Sequence, residues 1–276
     1  MAEKRIDLHI HSRYSDGLLS PFEILEYAAK RNVCAISITD HDTVEGIEPT
    51  LKQSSQFNID VIPGIEISVS LKHRELHFLG YFIDYSHSAI RSYTETLRQA
   101  REDRAKKIIQ LLNNIGFHLS LEPILVKAQG APLGRPHIAE ALVEGNYVFS
   151  AFEAFEKYLG EGRPAYVPKN VIGPMDAMEI IKDAGGLVFL AHPKTAFIDE
   201  SDVKRLVGAG LDGMEIIHPK HKSNDVTYYR NIAQKFDLLE SGGSDCHGGR
   251  EGQIILGTQL VPVSLLNSMK EKLVKK

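Results

Sequence analysis

The chain has no tryptophan and only two cysteines, Cys34 and Cys246, in 276 residues. Two distant thiols without a pairing pattern exclude a disulfide scaffold and fit a reducing compartment. Long apolar runs are missing as well, so no segment reads as a bilayer span and no membrane is expected as a partner. Met1 to Arg5 are polar and run straight into a strand, which leaves no secretory leader; the expected location is cytoplasmic. Positive charge is not in excess either. Lys and Arg number 32 against 36 Asp and Glu, for a formal charge of -4. No overall basic field exists to hold long duplex nucleic acid, while a local cationic site is compatible with this balance. The remaining composition, 43% hydrophobic and 25% charged, is that of a globular protein long enough for one large α/β barrel or two ordinary domains.

What is present in modest excess is histidine, twelve in all, and these cluster. In Asp7-Leu8-His9-Ile10-His11 the apolar residues Ile6, Leu8 and Ile10 alternate with Asp7, His9 and His11. That period of two predicts a strand with three polar side chains on one face. Two imidazoles on one strand face can hold a metal ion, and they can equally be ordinary polar residues.

Strand and helix signals alternate in the first eighty-odd residues. Ser20, Pro21 and Glu23 form a capping box with proline at the first helical position, so a helix starts there. Strands are expected at Cys34–Thr39, Ile65–Val69 and Glu75–Phe82, the last antiparallel to its neighbour because the connection is hairpin-short. From 86 to 161 the pattern is helical, with Ser88–Ile115, Leu121–Ala128, Pro136–Glu144 and Ala151–Tyr158 as helices. This stretch reads as a helical insertion, leaving 1–85 and 162–276 for the main domain. Alternation then returns. Helices are expected at Met175–Ala184, Ser201–Ala209 and Asn224–Lys235, strands at Leu187–Ala191, Gly213–Ile217 and Leu238–Gly242, and a helical tail from Val263. Strand–helix repeats on both sides of an insertion favour a βα barrel over a sandwich.

Nine metal-type side chains sit on or near strand ends: His9, His11, Asp16, His41, Glu66, His77, His192, Asp245 and His247. In a βα barrel the ends of different strands converge on one face. The mix of imidazole and carboxylate suits zinc, manganese or iron rather than calcium.

Several motifs carry a resemblance. His9-x-His11, Asp16-Gly17, Thr39-Asp40-His41-Asp42, Gly64-Ile65-Glu66, His77, Ala191-His192-Pro193 and Ser244-Asp245-Cys246-His247 resemble, in order, the motifs of the polymerase-and-histidinol-phosphatase (PHP) metal phosphoesterases. Within that family, Gly134-Arg135-Pro136-His137, Arg163-Pro164-Ala165-Tyr166-Val167 and Glu215-Ile216-Ile217-His218-Pro219-Lys220-His221 resemble the branch of nucleoside 3′,5′-bisphosphate phosphatases and 5′–3′ oligoribonucleotide exonucleases. The resemblance implies an α/β fold, a distorted seven-stranded βα barrel with a small helical insertion. It implies two to three divalent ions, with manganese first and zinc or iron as alternatives. His9, His11, Glu66 and Asp245 would hold one ion, Glu66, His77 and His192 a second, and Asp16, His41 and His247 a third.

Such a site suits phosphoester hydrolysis, since a water bridging two cations loses a proton near neutral pH and can attack phosphorus. Glu66, Asp245 and His192 form the expected catalytic set, and the general acid is open between Asp245 and His218. Arg135 can grip a second phosphate through two parallel hydrogen bonds at a helix N-terminus, with His137 beside it. The resemblance moves His218 and His221 toward phosphate binding as well. Asp7 reads as a partner for a ligating imidazole, Asp40 and Asp42 as the same or as turn caps, and His73, His87 and His118 as surface. By strand alternation, the Cys246 thiol points away from the metals.

The leading expectation is removal of the 3′-phosphate from nucleoside 3′,5′-bisphosphates. The alternative is 5′–3′ cleavage of short 5′-phosphorylated RNA. A histidinol phosphatase and a non-catalytic metal-binding module are weaker. The partner in either leading case is a small phosphorylated nucleotide or short RNA; the chain names no protein partner.

Overall fold

The structure is a computed structural model that describes residues 4–72, 74–128, 131–169, 171–250 and 252–275. The reading of His73 as surface, and the ends of the readings at Met1–Glu3 and Lys276, lie outside the described residues.

Among the described residues, eight strands form one sheet: β1 (Arg5–Ile10), β2 (Val33–Ile38), β3 (Asp60–Leu71), β4 (Arg74–Tyr81), β5 (Leu187–Leu190), β6 (Gly213–Ile217), β7 (Leu239–Gly242) and β8 (Val261–Pro262). Their order is β7-β6-β5-β4-β3-β2-β1-β8. β4 runs antiparallel to both β3 and β5, and β8 antiparallel to β1; the other pairs are parallel. The seam closes at the mouth, where Ile10 bridges to Cys246 beyond β7 and the His11 amide donates to the Cys246 carbonyl at 3.0 Å. Gly243 lies so close there that a Cβ would stand 2.4 Å from the His9 nitrogen. The result is a distorted, nearly closed barrel. The eighth strand was not expected, because two residues are too short to show a period. It pairs with the start of β1, opposite Arg5 and Ile6.

Among the described residues there are ten α-helices: α1 (Pro21–Lys30), α2 (Ile47–Ser54), α3 (Ser88–Asn114), α4 (Leu121–Ala128), α5 (Arg135–Glu144), α6 (Ala151–Ala154), α7 (Pro174–Asp183), α8 (Glu200–Gly208), α9 (Ser223–Lys235) and α10 (Val263–Val274). A π-helical turn, Phe155–Leu159, continues α6. The α1 capping box forms as its residues dictate, and Ile24, Leu25 and Ala28 are fully buried against Ile36 and Ile38. Each such Ile or Leu contributes roughly 1.5–3 kcal/mol by leaving water.

The helix α3 belongs to two cores. Ile90, Tyr93 and Leu97 pack with Met178 and Ile181 of α7 on the barrel. Farther along, Ala105, Ile108 and Leu112 join Phe117, Ile138, Leu142 and Leu159 in a separate cluster. The boundary expected at residue 86 lies just before this continuous 27-residue helix, whose first turns pack on the barrel. A helix of this length is about 40 Å long, enough to span both units. At the other end, Ala165 still belongs to the second core, beyond the expected end at 161.

The barrel interior holds polar groups beside apolar ones, since Leu79 and Phe189 share the face of Glu66. Asp7, His9, Glu66, Glu215, Ser241 and Ser244 are buried within it. Asp7 takes a different role from the one expected. Its carboxylate accepts from the backbone amides of Ser244 at 2.8 Å and Gly257 at 2.7 Å, and burial raises its carboxyl pKa. It ties the seam rather than orienting an imidazole. Cys246 lies in an apolar cluster with Ile10, Leu19 and Ile24, and burial pushes its thiol up. Among the described residues no helix is long and apolar enough to cross a membrane.

Candidate metal centre

The barrel mouth collects all nine candidate ligands. His9 lies on β1 and His11 just past it, His41 follows β2, Glu66 lies on β3, and His192, Asp245 and His247 follow β5 and β7. His77 sits near the start of β4, not at its end. Because β4 runs backwards, its start lies at the same edge as the ends of the parallel strands. Asp16 reaches in from the loop after β1. That loop is shaped by Asp40, whose carboxylate accepts from the Ser12 amide at 2.7 Å and the Ser15 hydroxyl at 2.6 Å. Gly17 allows the tight return, since a Cβ there would stand 2.4 Å from the His11 carbonyl. Two of the nine, His192 and Asp245, have φ of +22° and +50°, a left-handed conformation costly for such residues and typical of functional sites.

Glu66 is the centre of the group. Its Oε1 lies 2.8 Å from His77 Nδ1 and 3.1 Å from His192 Nε2. Its Oε2 lies 3.0 Å from His41 Nδ1, 3.2 Å from His11 Nε2 and 3.5 Å from His9 Nε2. Ligand atoms within 4.8 Å of one another fall into four overlapping sets: His11, Asp16, His41 and His247; His9, Glu66 and His192; His9, His11 and Asp245; and His41, Glu66 and His77. These sets overlap more than the three-ion division implied by the resemblance. His9, His11, His41 and Glu66 each belong to two sets.

Three imidazoles have one nitrogen fixed by a protein acceptor. His9 Nδ1 faces Glu215 Oε1 at 3.0 Å. His247 Nδ1 faces the Asp245 carbonyl at 2.9 Å. His192 Nδ1 faces Thr195 Oγ1 at 2.7 Å, while that hydroxyl gives its own proton to the His192 carbonyl. Each Nδ1–H therefore donates outward, and each Nε2 lone pair of the neutral ring faces the pocket. Beyond these, His9 Nε2, both nitrogens of His11, Asp16 Oδ1, His41 Nδ1 and Glu66 Oε2 are buried with no hydrogen-bond partner. Several of these atoms stand within 3.5 Å of each other but are not aligned as hydrogen bonds. Orphaned donors and acceptors on this scale are costly unless a cation gathers them. The residues present fit a bound divalent metal.

The electrostatics agree. Burial opposes the charge on His11, but the Asp245 and Glu66 carboxylates beside it raise its pKa to about 10. Burial likewise opposes charge on His77, and Glu66 outweighs it, raising the ring to about 9. Burial opposes the Glu66 carboxylate, yet His41, His77 and His9 hold it well below the usual carboxylate range. His41 itself is lowered to about 3, chiefly by burial. This concentration of carboxylate charge draws cations.

One pocket continues from this centre. It is lined by Asp16, His41, Glu75 and His77 together with Arg101, Arg104, Arg135, Lys169 and Phe155. The Arg135 guanidinium lies 5.6 Å from the Phe155 ring and 5.7 Å from the Tyr166 ring, and donates to the Leu159 carbonyl at 3.1 Å. Arg104 donates to the Val167 carbonyl at 2.9 Å. Neither arginine has a carboxylate within ion-pair distance among the described residues. Arg104 is lowered to about 10 by burial and by Arg135 and Arg101 nearby.

Sequence reading found Arg135 but not Arg101, Arg104, Lys169 or Glu215. A signal was present for Arg101. It stands four residues after Leu97 and four before Ala105, a charge inside the apolar stripe of α3. Nothing in the sequence marked Lys169 or Phe155.

The other expected substrate contacts have different surroundings. His137 Nδ1 accepts from the Gly134 amide at 3.1 Å, which caps α5. His218 Nδ1 accepts from the Lys220 amide, so its Nε2–H is the one that meets Asp245 Oδ2 at 3.3 Å. His221 Nδ1 donates to the Ile216 carbonyl at 2.9 Å, and its Nε2 is buried without a partner. In His137 and His221 a backbone group takes Nδ1 only, while His218 bonds to Asp245 through Nε2. His87 caps α3 and His118 is exposed.

A cluster of imidazoles and carboxylates beside a cationic pocket, at the mouth of a distorted βα barrel, defines a metal-dependent phosphoester hydrolase. The model of the PHP domain matches residues 7–167. The chain is 33% identical over 247 residues to the 5′-3′ exoribonuclease Rnm of Escherichia coli strain K12, covering 87% of this chain and 84% of that protein. It is 31% identical over 252 residues to a 3′,5′-nucleoside bisphosphate phosphatase of Chromobacterium violaceum, covering 90% and 88%. A solved structure from Bifidobacterium adolescentis, assigned as a metal-dependent phosphoesterase, superposes with a TM-score of 0.88 at 28% identity, covering 98% of this chain and 96% of that one. The chain belongs to the PHP family.

Proposed function

We propose that this protein removes the 3′-phosphate from nucleoside 3′,5′-bisphosphates, giving the nucleoside 5′-phosphate and inorganic phosphate. The carrying observation is the shared pocket, in which Asp16, His41 and His77 face the same space as Arg101, Arg104, Arg135 and Lys169. A substrate with a phosphate at each end of one ribose suits a pocket with a cation-binding end and a cationic end. His9, His11, Asp16, His41, Glu66, His77, His192, Asp245 and His247 would hold two to three divalent ions, manganese first, with zinc or iron as alternatives. When bound, the ions supply a nucleophilic water at neutral pH and neutralise charge on the reacting phosphoryl group.

The protein's own residues do the rest. Arg104 and Arg135 carry guanidinium charge without a carboxylate partner, so it remains available to the 5′-phosphate. Phe155, with Pro132 and Pro136, offers an apolar wall for the base. Glu66, His192 and Asp245 complete the ligand cluster that would hold the ions against the reacting phosphate. The Asp245 carboxyl is held well below its usual range, with His9 and His11 outweighing its burial. It is therefore ionised at neutral pH and has no proton to give, which leaves His218 of the two acid candidates.

A second reading is 5′–3′ cleavage of short 5′-phosphorylated RNA, favoured by the 33% identity to an exoribonuclease. The chemistry is the same, hydrolysis at the 3′-oxygen beside a clamped 5′-phosphate. Phosphate release from adenosine 3′,5′-bisphosphate, set against nucleotide release from a 5′-phosphorylated pentaribonucleotide, decides between them. A kcat/KM at least tenfold higher for the bisphosphate is expected; the reverse order selects the exonuclease, and no turnover of either ends both readings.

A further inference from the structure

Asp42 directly follows His41 but is not one of the nine candidate ligands. Its side chain is fully buried. Oδ1 accepts from the Ser68 amide at 3.0 Å and from the Tyr93 hydroxyl at 2.7 Å. Oδ2 pairs with the Arg101 guanidinium and has Lys169 Nζ at 3.8 Å. Lys169 is tied further to Ser68 Oγ and to Glu75 Oε1, the latter at 3.0 Å. Four segments thus meet on one carboxylate: the loop after β2, strand β3, helix α3, and the stretch that returns to the barrel. Both cations that it holds line the pocket shared with Asp16, His41 and His77.

A free arginine or lysine samples many rotamers, and an anion that binds it must first order it. A buried anion fixed by Ser68 and Tyr93 removes most of that ordering in advance. Asp42 holds φ at +55°, a conformation an ordinary side chain adopts only when its surroundings demand it. The carboxylate is thereby aimed away from the ligand group and toward α3.

We propose that Asp42 is a positioning residue for the anionic end of the substrate: it fixes Arg101 and Lys169 within the pocket and so sets affinity for the phosphate that is not cleaved. This rests on the reading that a 5′-phosphate binds there. The test is calorimetric binding of adenosine 5′-monophosphate to manganese-loaded protein, with metal content measured in parallel. Asp42→Asn should weaken binding about tenfold and raise KM for the bisphosphate similarly, with kcat within about threefold of wild type. Metal content, and kcat/KM for an aryl phosphate that lacks the second phosphate, should stay near wild type. Combined with Arg101→Met, the loss should be smaller than the product of the single effects. Should Asp42→Asn not fold, Tyr93→Phe removes one bond to the carboxylate and should weaken binding about two- to fourfold. Wild type that does not bind the monophosphate defeats the underlying reading. Wild type that binds it, with unchanged affinity in both variants, overturns the role of Asp42. A fall in metal content with equal losses on both substrates also overturns it, placing Asp42 with the ligands instead.

Discussion

Glu215 and His9 meet inside the barrel at 3.0 Å, one from β6 and one from β1, although 206 residues separate them. The other Glu215 oxygen accepts from the His192 amide at 2.8 Å. One buried carboxylate thereby sets the ring of one candidate ligand and the backbone of another. Its pKa is lowered, because His9 and His218 outweigh its burial, so it is the acceptor and His9 the donor. Glu215→Gln should weaken manganese binding by roughly 10–100-fold in a chelator competition, as loss of such an outer partner typically does. Unchanged affinity would show that His9 needs no orienting acceptor.

Glu66 faces five imidazoles. Glu66→Ala, purified with added manganese, should lose at least about three orders of magnitude in kcat and bind fewer ions per chain. Turnover near wild type would remove Glu66 from the centre of the site.

Metal binding should release protons. His11 and His77 are raised to about 10 and about 9, so both rings are protonated at pH 7.5. A ligating imidazole must be neutral, so these protons leave when the cation enters. Apparent affinity therefore rises with pH and levels off only above the higher value. Calorimetry of manganese binding in two buffers of different ionisation enthalpy should show release of about two protons or more. A buffer-independent enthalpy would contradict this assignment of charge.

Arg135 lies near two aromatic rings and has no carboxylate within ion-pair distance among the described residues. Arg135→Ala should raise KM for adenosine 3′,5′-bisphosphate by about 10–100-fold and hardly change KM for an aryl phosphate. Equal effects on both substrates would discard the second-phosphate clamp.

His137 tests the difference between a contact and a cap. Its Nδ1 accepts from the Gly134 amide at the start of α5. His137→Ala should lower unfolding stability by about 1 kcal/mol, as loss of a helix cap does. KM should remain within about twofold. A large KM effect at unchanged stability would return His137 to the substrate.

Local pattern alone determined much of this molecule. The capping box of α1, the strand period of β1, the helical run of α3 and the polar types at strand ends follow from interactions within a few residues. The nine candidate ligands were legible because their chemistry is unusual and because most lie on or just past a strand. Other features depend on distance in space alone. The reversal of β4, which brings His77 to the mouth from the wrong end of its strand, is a matter of pairing partners. Asp7 shares a face with His9, yet its carboxylate serves the Ser244 and Gly257 amides across the seam. Glu215, Arg104 and Lys169 acquire their roles only when strands and helices far apart in the chain are set beside one another. Sequence encodes which groups can bond and which surfaces must leave water; which acceptor a given donor finds is decided when the barrel closes and excludes the solvent that would otherwise serve.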